Sequence, residues 1–254
     1  MLAGMIDWHC HDLAPRMPPG AAAGAIAVVI DVLRASTSIA TALESGATAV
    51  WPTPSVAAAR ATRDRLPAGT LLGGERGGLP PAGFDLGNSP LDYTPARVGG
   101  HAVVVTTTNG TAALAACRDA RDVVIGALVN RAAVAAFLRR RGAAPDRVAV
   151  HLVCAGTDGA VSGEDVLGAG AIVDAAAGPA DRLDAASSAA RAAFRRVVAA
   201  GAPEAALADA FRDTPGGANL IALGMQRDLA AAARLDAVAV VPHLVGDRLV
   251  AAAD

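Results

Sequence analysis

The sequence predicts an α/β fold of three layers, α/β/α, around a mostly parallel or mixed central sheet, in a single domain over residues 1–254. Three observations carry this. Short β-branched runs alternate with Ala-rich segments of helical length, as happens when each strand is followed by a covering helix. The chain has 254 residues, 53% hydrophobic and 18% charged, which suffices for one large core and excludes an intrinsically disordered protein. Polar residues gather directly after the apolar runs, where open α/β sheets bind their ligands.

The pattern opens with a strand at Ala25 to Ile30 and a helix at Ser36 to Ser45. A strand at Thr48 to Trp51, a helix at Ser55 to Leu66 and a short strand at Thr70 to Leu72 follow. The β-branched run Ala102 to Thr106 precedes a helix at Gly110 to Cys117, and Val123 to Ile125 precedes one at Arg131 to Arg141. Val148 to Val153 is the next strand, with a helix at Glu164 to Ala177. Asp181 to Ala200 and Glu204 to Arg212 read as consecutive helices with no strand between them, a helical cap around residues 181–225. A helix at Gln226 to Leu235 and a strand at Ala237 to Val241 complete the series. Where Ala supplies the apolar positions the helical and strand periods separate poorly, so the boundaries carry an error of about 2–4 residues. Gly73 to Pro95 is too rich in Gly and Pro, and too long, for an ordinary connection. Its Glu75, Arg76, Phe84, Asp85 and Asn88 favour an ordered, functional loop.

Composition removes several functions. All 22 basic residues are Arg, so a P-loop lysine and a Schiff-base lysine are both excluded. A net charge of -2 with scattered Arg residues gives no basic stripe for a nucleic-acid partner. Cys10, Cys117 and Cys154 lack C-x-x-C spacing, which argues against a disulfide scaffold or structural zinc and for a reducing, cytoplasmic setting. Met1 to Gly24 has no apolar region of signal-peptide type, and no stretch approaches 18 uninterrupted apolar residues, so no membrane partner is expected.

The strand ends hold the candidate chemistry. They read Asp31-Val32-Leu33-Arg34, Gly73-Gly74-Glu75-Arg76, Thr106-Thr107-Thr108-Asn109-Gly110-Thr111 and Cys154-Ala155-Gly156-Thr157-Asp158-Gly159, with Ser162-Gly163-Glu164-Asp165 entering the next helix. The Thr-Asn-Gly-Thr segment offers hydroxyls and amides to an anion at a helix start, although Thr108 or Asn109 could simply cap that helix. Asp31, Glu75, Glu164 and Asp165 are hard oxygen donors suited to Mg²⁺; each could instead serve as a capping or ion-paired residue. Arg34 and Arg76 could clamp an anion or neutralise those carboxylates.

These segments occur in a telling order. Ile30-Asp31-Val32-Leu33-Arg34-Ala35-Ser36-Thr37, Gly74 to Gly78, Gly83-Phe84-Asp85-Leu86-Gly87-Asn88-Ser89-Pro90, Thr106 to Thr111, Val153 to Gly156, and Glu164-Asp165 before Ala169-Gly170-Ala171 together resemble the 2-phosphosulfolactate phosphatase family, the ComB-like proteins of coenzyme M biosynthesis. The resemblance implies a Mg²⁺-dependent, homodimeric acid phosphatase of α/β/α fold that converts (R)-2-phospho-3-sulfolactate to 3-sulfolactate. On that basis Asp31, Arg34, Glu75 and Asn109 are expected to be catalytic, and Arg76, Thr108, Gly110, Thr111, Cys154 and Arg131 to bind substrate. Asp31, Glu75, Glu164 and Asp165 are the expected metal ligands, and the nucleophile is either a metal-activated water or Asp31. The chain departs from the family at Gly216, where a His is expected before the second Gly of Thr214-Pro215-Gly216-Gly217, and at Gly168, where a Cys is expected.

Other chemistries fit less well. His9-Cys10-His11-Asp12-Leu13-Ala14-Pro15-Arg16 satisfies H-C-x5-R, but a cysteine phosphatase needs a strand before the Cys and a helix after the loop, and the sequence reads as providing neither. Leu33 stands where haloacid-dehalogenase enzymes carry a second Asp, and G-x-S-x-G is missing. The glycines of Gly163 to Gly170 make only a weak dinucleotide fingerprint, and His101 and His151 read as core or sheet-edge residues. A phosphatase of a related phosphorylated 2-hydroxy acid, or a non-catalytic small-anion binder, are the alternatives.

Overall fold

A ten-stranded mixed sheet runs through the computed structural model, which describes residues 5–143, 147–199 and 201–253. Its strands are β1 (Ile6–His11), β2 (Ile26–Ile30), β3 (Ala49–Pro52), β4 (Leu71–Gly74), β5 (Ala102–Thr106), β6 (Asp122–Gly126), β7 (Val148–Cys154), β8 (Arg182–Leu183), β9 (Pro242–Val245) and β10 (Arg248–Ala251). The helices are α1 (Ala35–Glu44), α2 (Val56–Arg63), α3 (Pro95–Val98), α4 (Gly110–Ala116), α5 (Arg131–Arg141), α6 (Gly163–Ala176), α7 (Ala185–Val198), α8 (Pro203–Arg212), α9 (Pro215–Ala222) and α10 (Arg227–Ala232).

The strand order is β4-β5-β3-β10-β9-β6-β2-β7-β1-β8. β4, β5 and β3 form one parallel unit, and β6, β2, β7, β1 and β8 another. The β9–β10 hairpin joins them antiparallel, through one registered pair on each side, Leu249 with Val50 and Val124 with His243. Joins this narrow let the sheet bend, as large twisted sheets do.

β2 shows why the apolar runs lie inside. Ile26, Val28 and Ile30 enter the core under α5, α6 and α7, while Ala27 and Val29 enter the core under α1 and α4. A strand covered on both faces needs no polar alternation. The arrangement is α/β/α, as expected. Among the described residues no helix is long and apolar enough to cross a membrane.

Three expectations about the elements need correction. Residues 6–11 form β1, so a strand does contain Cys10. Its period of two was hidden because Asp7, His9 and His11 are only half-buried beside the buried Ile6, Trp8 and Cys10. The helix expected from Asp181 begins at Ala185, because Arg182 and Leu183 pair with Asp7 and Trp8 and Asp184 caps it by accepting the Ser187 N–H. The Ala200 end of that helix lies outside the described residues. Ala237 to Val241 stays out of the sheet: the Val238 N–H reaches the Val129 carbonyl, and Ala239 and Val240 donate to the Glu44 carboxylate. The ladder starts at Pro242, where a two-residue Gly246-Asp247 turn closes β9 onto β10.

α6 packs directly on β2 and α7, and its glycines permit it. A Cβ at Gly168, where the family resemblance expects Cys, would lie 2.8 Å from Val32 Cγ2. A Cβ at Gly170 would overlap the Ala190 carbonyl oxygen and lie 2.5 Å from its carbon. Gly170→Ala is therefore expected to destabilise the protein by about 3 kcal/mol, lowering the melting temperature by roughly 6–12 °C. Gly178→Ala, with nothing near its added methyl, should melt within a degree or so of wild type in the same calorimetric scan.

Candidate active site

Asp31 follows β2 directly and is buried. The turn into α1 holds it: its N–H donates to Ser36 Oγ at 2.8 Å, and its Oδ1 accepts the Ala35 N–H at 3.1 Å. Its Oδ2 faces Gly110, where a Cβ would lie only 2.7 Å away. Glycine at the start of α4 is thus what lets the Thr107–Gly110 segment approach the carboxylate. Glu75, following β4, fastens that segment from the other side. Its Oε1 accepts the Thr108 N–H at 2.8 Å and the Thr108 hydroxyl at 3.1 Å, and its Oε2 accepts the Gly78 N–H at 2.9 Å.

The cavity between these elements encloses about 140 Å³ and is lined by Asp31, Leu33, Arg34, Glu75, Gly77, Gly78, Asn88, Thr107, Thr108, Asn109, Thr157, Asp158, Gly216, Asn219 and Leu220. Asp31, Arg34, Glu75, Thr108 and Asn109 thus come together here, with Gly110 at the edge through Asp31. The other residues singled out in the sequence stand elsewhere. Arg76 braces the loop, donating to the Glu75 carbonyl at 2.6 Å and to Thr106 Oγ1 at 2.8 Å. The Thr111 hydroxyl donates to the Thr107 carbonyl. Arg131 pairs with Asp236 at 3.0 Å and lies over the Phe194 ring, and it does not line the cavity. Cys154 is a fully buried free thiol, and a hydrogen bond with the Cys10 thiol together with burial drives its pKa far up. Arg16 pairs with Asp12 at the surface. The H-C-x5-R segment therefore builds no thiolate site. His101 Nδ1–H donates to the Gly69 carbonyl at 2.8 Å at the surface, and His151 stacks on His9 and shares a 2.9 Å hydrogen bond with His11.

Asp165 and Glu164, in the first turn of α6, differ sharply. Both oxygens of Asp165 accept backbone N–H groups, from Val32 at 2.7 Å and Gly156 at 3.0 Å, which ties the ends of β2 and β7 together. Glu164 is buried with its Oε2 lacking any hydrogen-bond partner among the described residues. A Cβ at Gly216 would lie 2.6 Å from Glu164 Oε1, so the absent family His leaves the carboxylate its room.

Burial, with Glu164 and Glu75 acting in the same direction, raises the Asp31 pKa to about 7 against the Ala35 N–H and Arg34. Burial likewise raises Glu164 and, with Asp31 and Glu164 adding to it, raises Asp165 well above the carboxylate range. Asp31, Glu75 and Asp158 line the cavity with Arg34 as the basic residue among them, and Arg34 is itself paired with Asp228 at 2.7 Å. The space is electronegative. Among the described residues no group of three His, Cys, Asp or Glu side chains forms a protein metal cage. Mg²⁺, however, commonly takes one or two carboxylates plus water and substrate oxygens, and Asp31 with the unpartnered Glu164 oxygen suits that need.

Sequence reasoning missed Asp228 and Met225, which hold Arg34 from behind, and gave no separate role to the lining residues Thr107, Asn88, Thr157, Asp158 and Asn219. Asn88, Thr107, Thr157 and Asp158 stood inside segments already marked. Asp228 gave no signal, as one acid in an Ala-rich helix.

Residues 13–247 match the family model described as 2-phosphosulpholactate phosphatase. A probable 2-phosphosulfolactate phosphatase of Deinococcus radiodurans is 43% identical over 231 residues, covering 90% of this chain and 91% of the relative. One from Symbiobacterium thermophilum is 43% identical over 224 residues, 87% of this chain and 91% of the relative. A third, from Carboxydothermus hydrogenoformans, is 40% identical over 225 residues, 88% of each.

The raised Asp31 pKa has a stability consequence. The native state holds the Asp31 proton more tightly than the unfolded chain, so chelator-treated protein should lose stability as pH rises from about 4 to about 7. Urea midpoints across that window should fall less steeply in Asp31→Asn than in wild type. Equal slopes would contradict the burial of a shifted Asp31.

Proposed function

The chain belongs to the 2-phosphosulfolactate phosphatase family, and from that premise we propose that it hydrolyses (R)-2-phospho-3-sulfolactate to 3-sulfolactate and phosphate in the cavity at Asp31. The observation that supports this best is Asp31 itself, buried at a strand end with its pKa raised to about 7, opposite the hydroxyl and amide groups of Thr107 to Gly110. Phosphate monoesters resist hydrolysis so strongly that a catalyst must both neutralise charge and position a nucleophile.

In this reading the chain binds the phosphoryl oxygens through the Thr107 hydroxyl, the Asn109 side chain and the Gly110 N–H, since the next amides of α4 already donate to Thr107 Oγ1 and the Asn109 carbonyl. Arg34 adds a guanidinium to the same group. The attacking water, oriented by Asp31, gives its proton to solvent as the new P–O bond forms. The ester P–O bond then breaks, and the leaving 2-oxygen takes a proton from solvent. Glu75 keeps Thr108 and Gly78 in place and so sets the width of the cavity. Asp31 and Glu164 would hold a Mg²⁺ ion, which supplies the positive charge that a multiply anionic ester needs in an electronegative cavity.

Gly216, standing in the cavity where a family His is expected, favours one second reading, a related phosphorylated 2-hydroxy acid such as phospholactate or phosphoglycerate. A phosphate-release assay over these esters and a neutral-alcohol phosphate separates the cases. The sulfonated ester should give the highest kcat/KM and the neutral-alcohol phosphate the lowest. Equal rates on the neutral ester would remove the preference for a multiply anionic substrate, and phosphate binding without turnover would leave a small-anion binder.

EDTA is expected to abolish phosphate release and added Mg²⁺ to restore it. Asp31→Asn should lose about 10³-fold or more in kcat while still unfolding cooperatively. Activity that persists in EDTA, or an Asp31→Asn enzyme within a few-fold of wild type, would show the assignment to be wrong.

A further inference from the structure

Arg34 is held at both ends of its guanidinium. Nη1 donates to Asp228 Oδ2 at 2.7 Å and to Met225 Sδ at 3.1 Å, and Nη2 donates to the Gly78 carbonyl at 2.7 Å. Asp228 Oδ1 accepts the Ser89 hydroxyl at 2.6 Å. The Arg34 and Asp228 side chains are only 3% and 4% exposed. A guanidinium has five N–H donors; three are engaged among the described residues, which leaves Nε–H and one Nη2–H for the cavity that Arg34 lines.

We propose that Asp228 is a positioning residue for phosphate recognition: its carboxylate, locked by Ser89, sets the Arg34 fork so that its remaining donors meet an anion in the cavity. A buried ion pair adds little stability over apolar packing of the same volume, so orientation is what such a pair has to offer. Two segments far from Arg34 in sequence, α10 and the Pro90 turn, meet at this one carboxylate. The inference rests on the phosphatase reading for the role of Arg34, but it is tested on binding alone.

The proposal makes a prediction opposite in sign to that of simple charge. Removing the Asp228 carboxylate frees Arg34 of its counter-charge, so electrostatics alone predicts tighter anion binding in Asp228→Asn. Loss of positioning predicts weaker binding. Titration calorimetry with inorganic phosphate in Mg²⁺ buffer should show the Kd raised about tenfold or more in Asp228→Asn. Ser89→Ala, which leaves the ion pair but frees Asp228 Oδ1, should raise it about threefold and decides the matter if Asp228→Asn does not fold. Unchanged or tighter phosphate binding in the folded variants overturns the proposal. A wild-type protein that binds phosphate but hydrolyses no ester would sink the phosphatase reading while leaving this result intact. Guanidinium rescue adds a readout that a purely structural role would not move. Added guanidinium should restore phosphate binding to Arg34→Ala, and it should fail in Arg34→Ala/Asp228→Asn. Equal rescue in both would also overturn the role of Asp228.

Discussion

Asp31 sits buried at the end of β2 with Glu164 and Glu75 near enough to oppose its ionisation, and Asp31 and Glu164 in turn oppose that of Asp165. Gathering carboxylates out of water is expensive unless each oxygen finds a donor, and much of the local structure exists to supply those donors. The turn after β2 offers the Ala35 N–H, the loop after β4 and the start of α4 offer Gly78 and Thr108, and the ends of β2 and β7 offer Val32 and Gly156. Glu164 Oε2 is the exception, a buried oxygen with no partner among the described residues.

The same requirement explains where glycine is needed. Gly110 and Gly216 each stand where a Cβ would collide with a carboxylate oxygen, of Asp31 and of Glu164 respectively. The segments bearing them can therefore close on the two acids. Backbone approach at these two points creates a small polar cavity, where larger side chains would have left a filled core.

Topology brings the acids together in the first place. Asp31 and Asp165 belong to the unit built on β2 and β7, whereas Glu75 and the Thr107–Asn109 segment belong to the unit built on β4 and β5. The β9–β10 hairpin links the two by single registered pairs, and the shared core of Val29, Ile125, Val50, Val103 and Val105 shows them folded toward one another. The cavity lies where strand ends of both units converge, so the rule that ligands bind beyond the carboxyl ends of parallel strands holds for each unit separately.

Local composition determined a good deal. The β-branched runs at 25–30, 102–106 and 148–153 read as buried strands and the polar residues after them as strand ends, and six ordered motifs carried the family. Asp31, Glu75, Thr108 and Asn109 were legible because each follows a strand within three residues. β1 and β8 were not, since half of β1 is polar and β8 is a two-residue pairing that exists only because β1 lies beside it. Arg76, Arg131 and Cys154 looked equivalent to the cavity residues in sequence, yet their side chains turn to the Thr106 hydroxyl, to Asp236 and to Cys10. Which way a side chain leaves a strand end depends on the partner waiting there. The sequence alone decides which residues can be buried and which can ligate or donate. Only the tertiary structure decided that Arg34 meets Asp228, 194 positions away, because a long-range ion pair is fixed by how helices pack against the sheet and leaves no local periodicity to read.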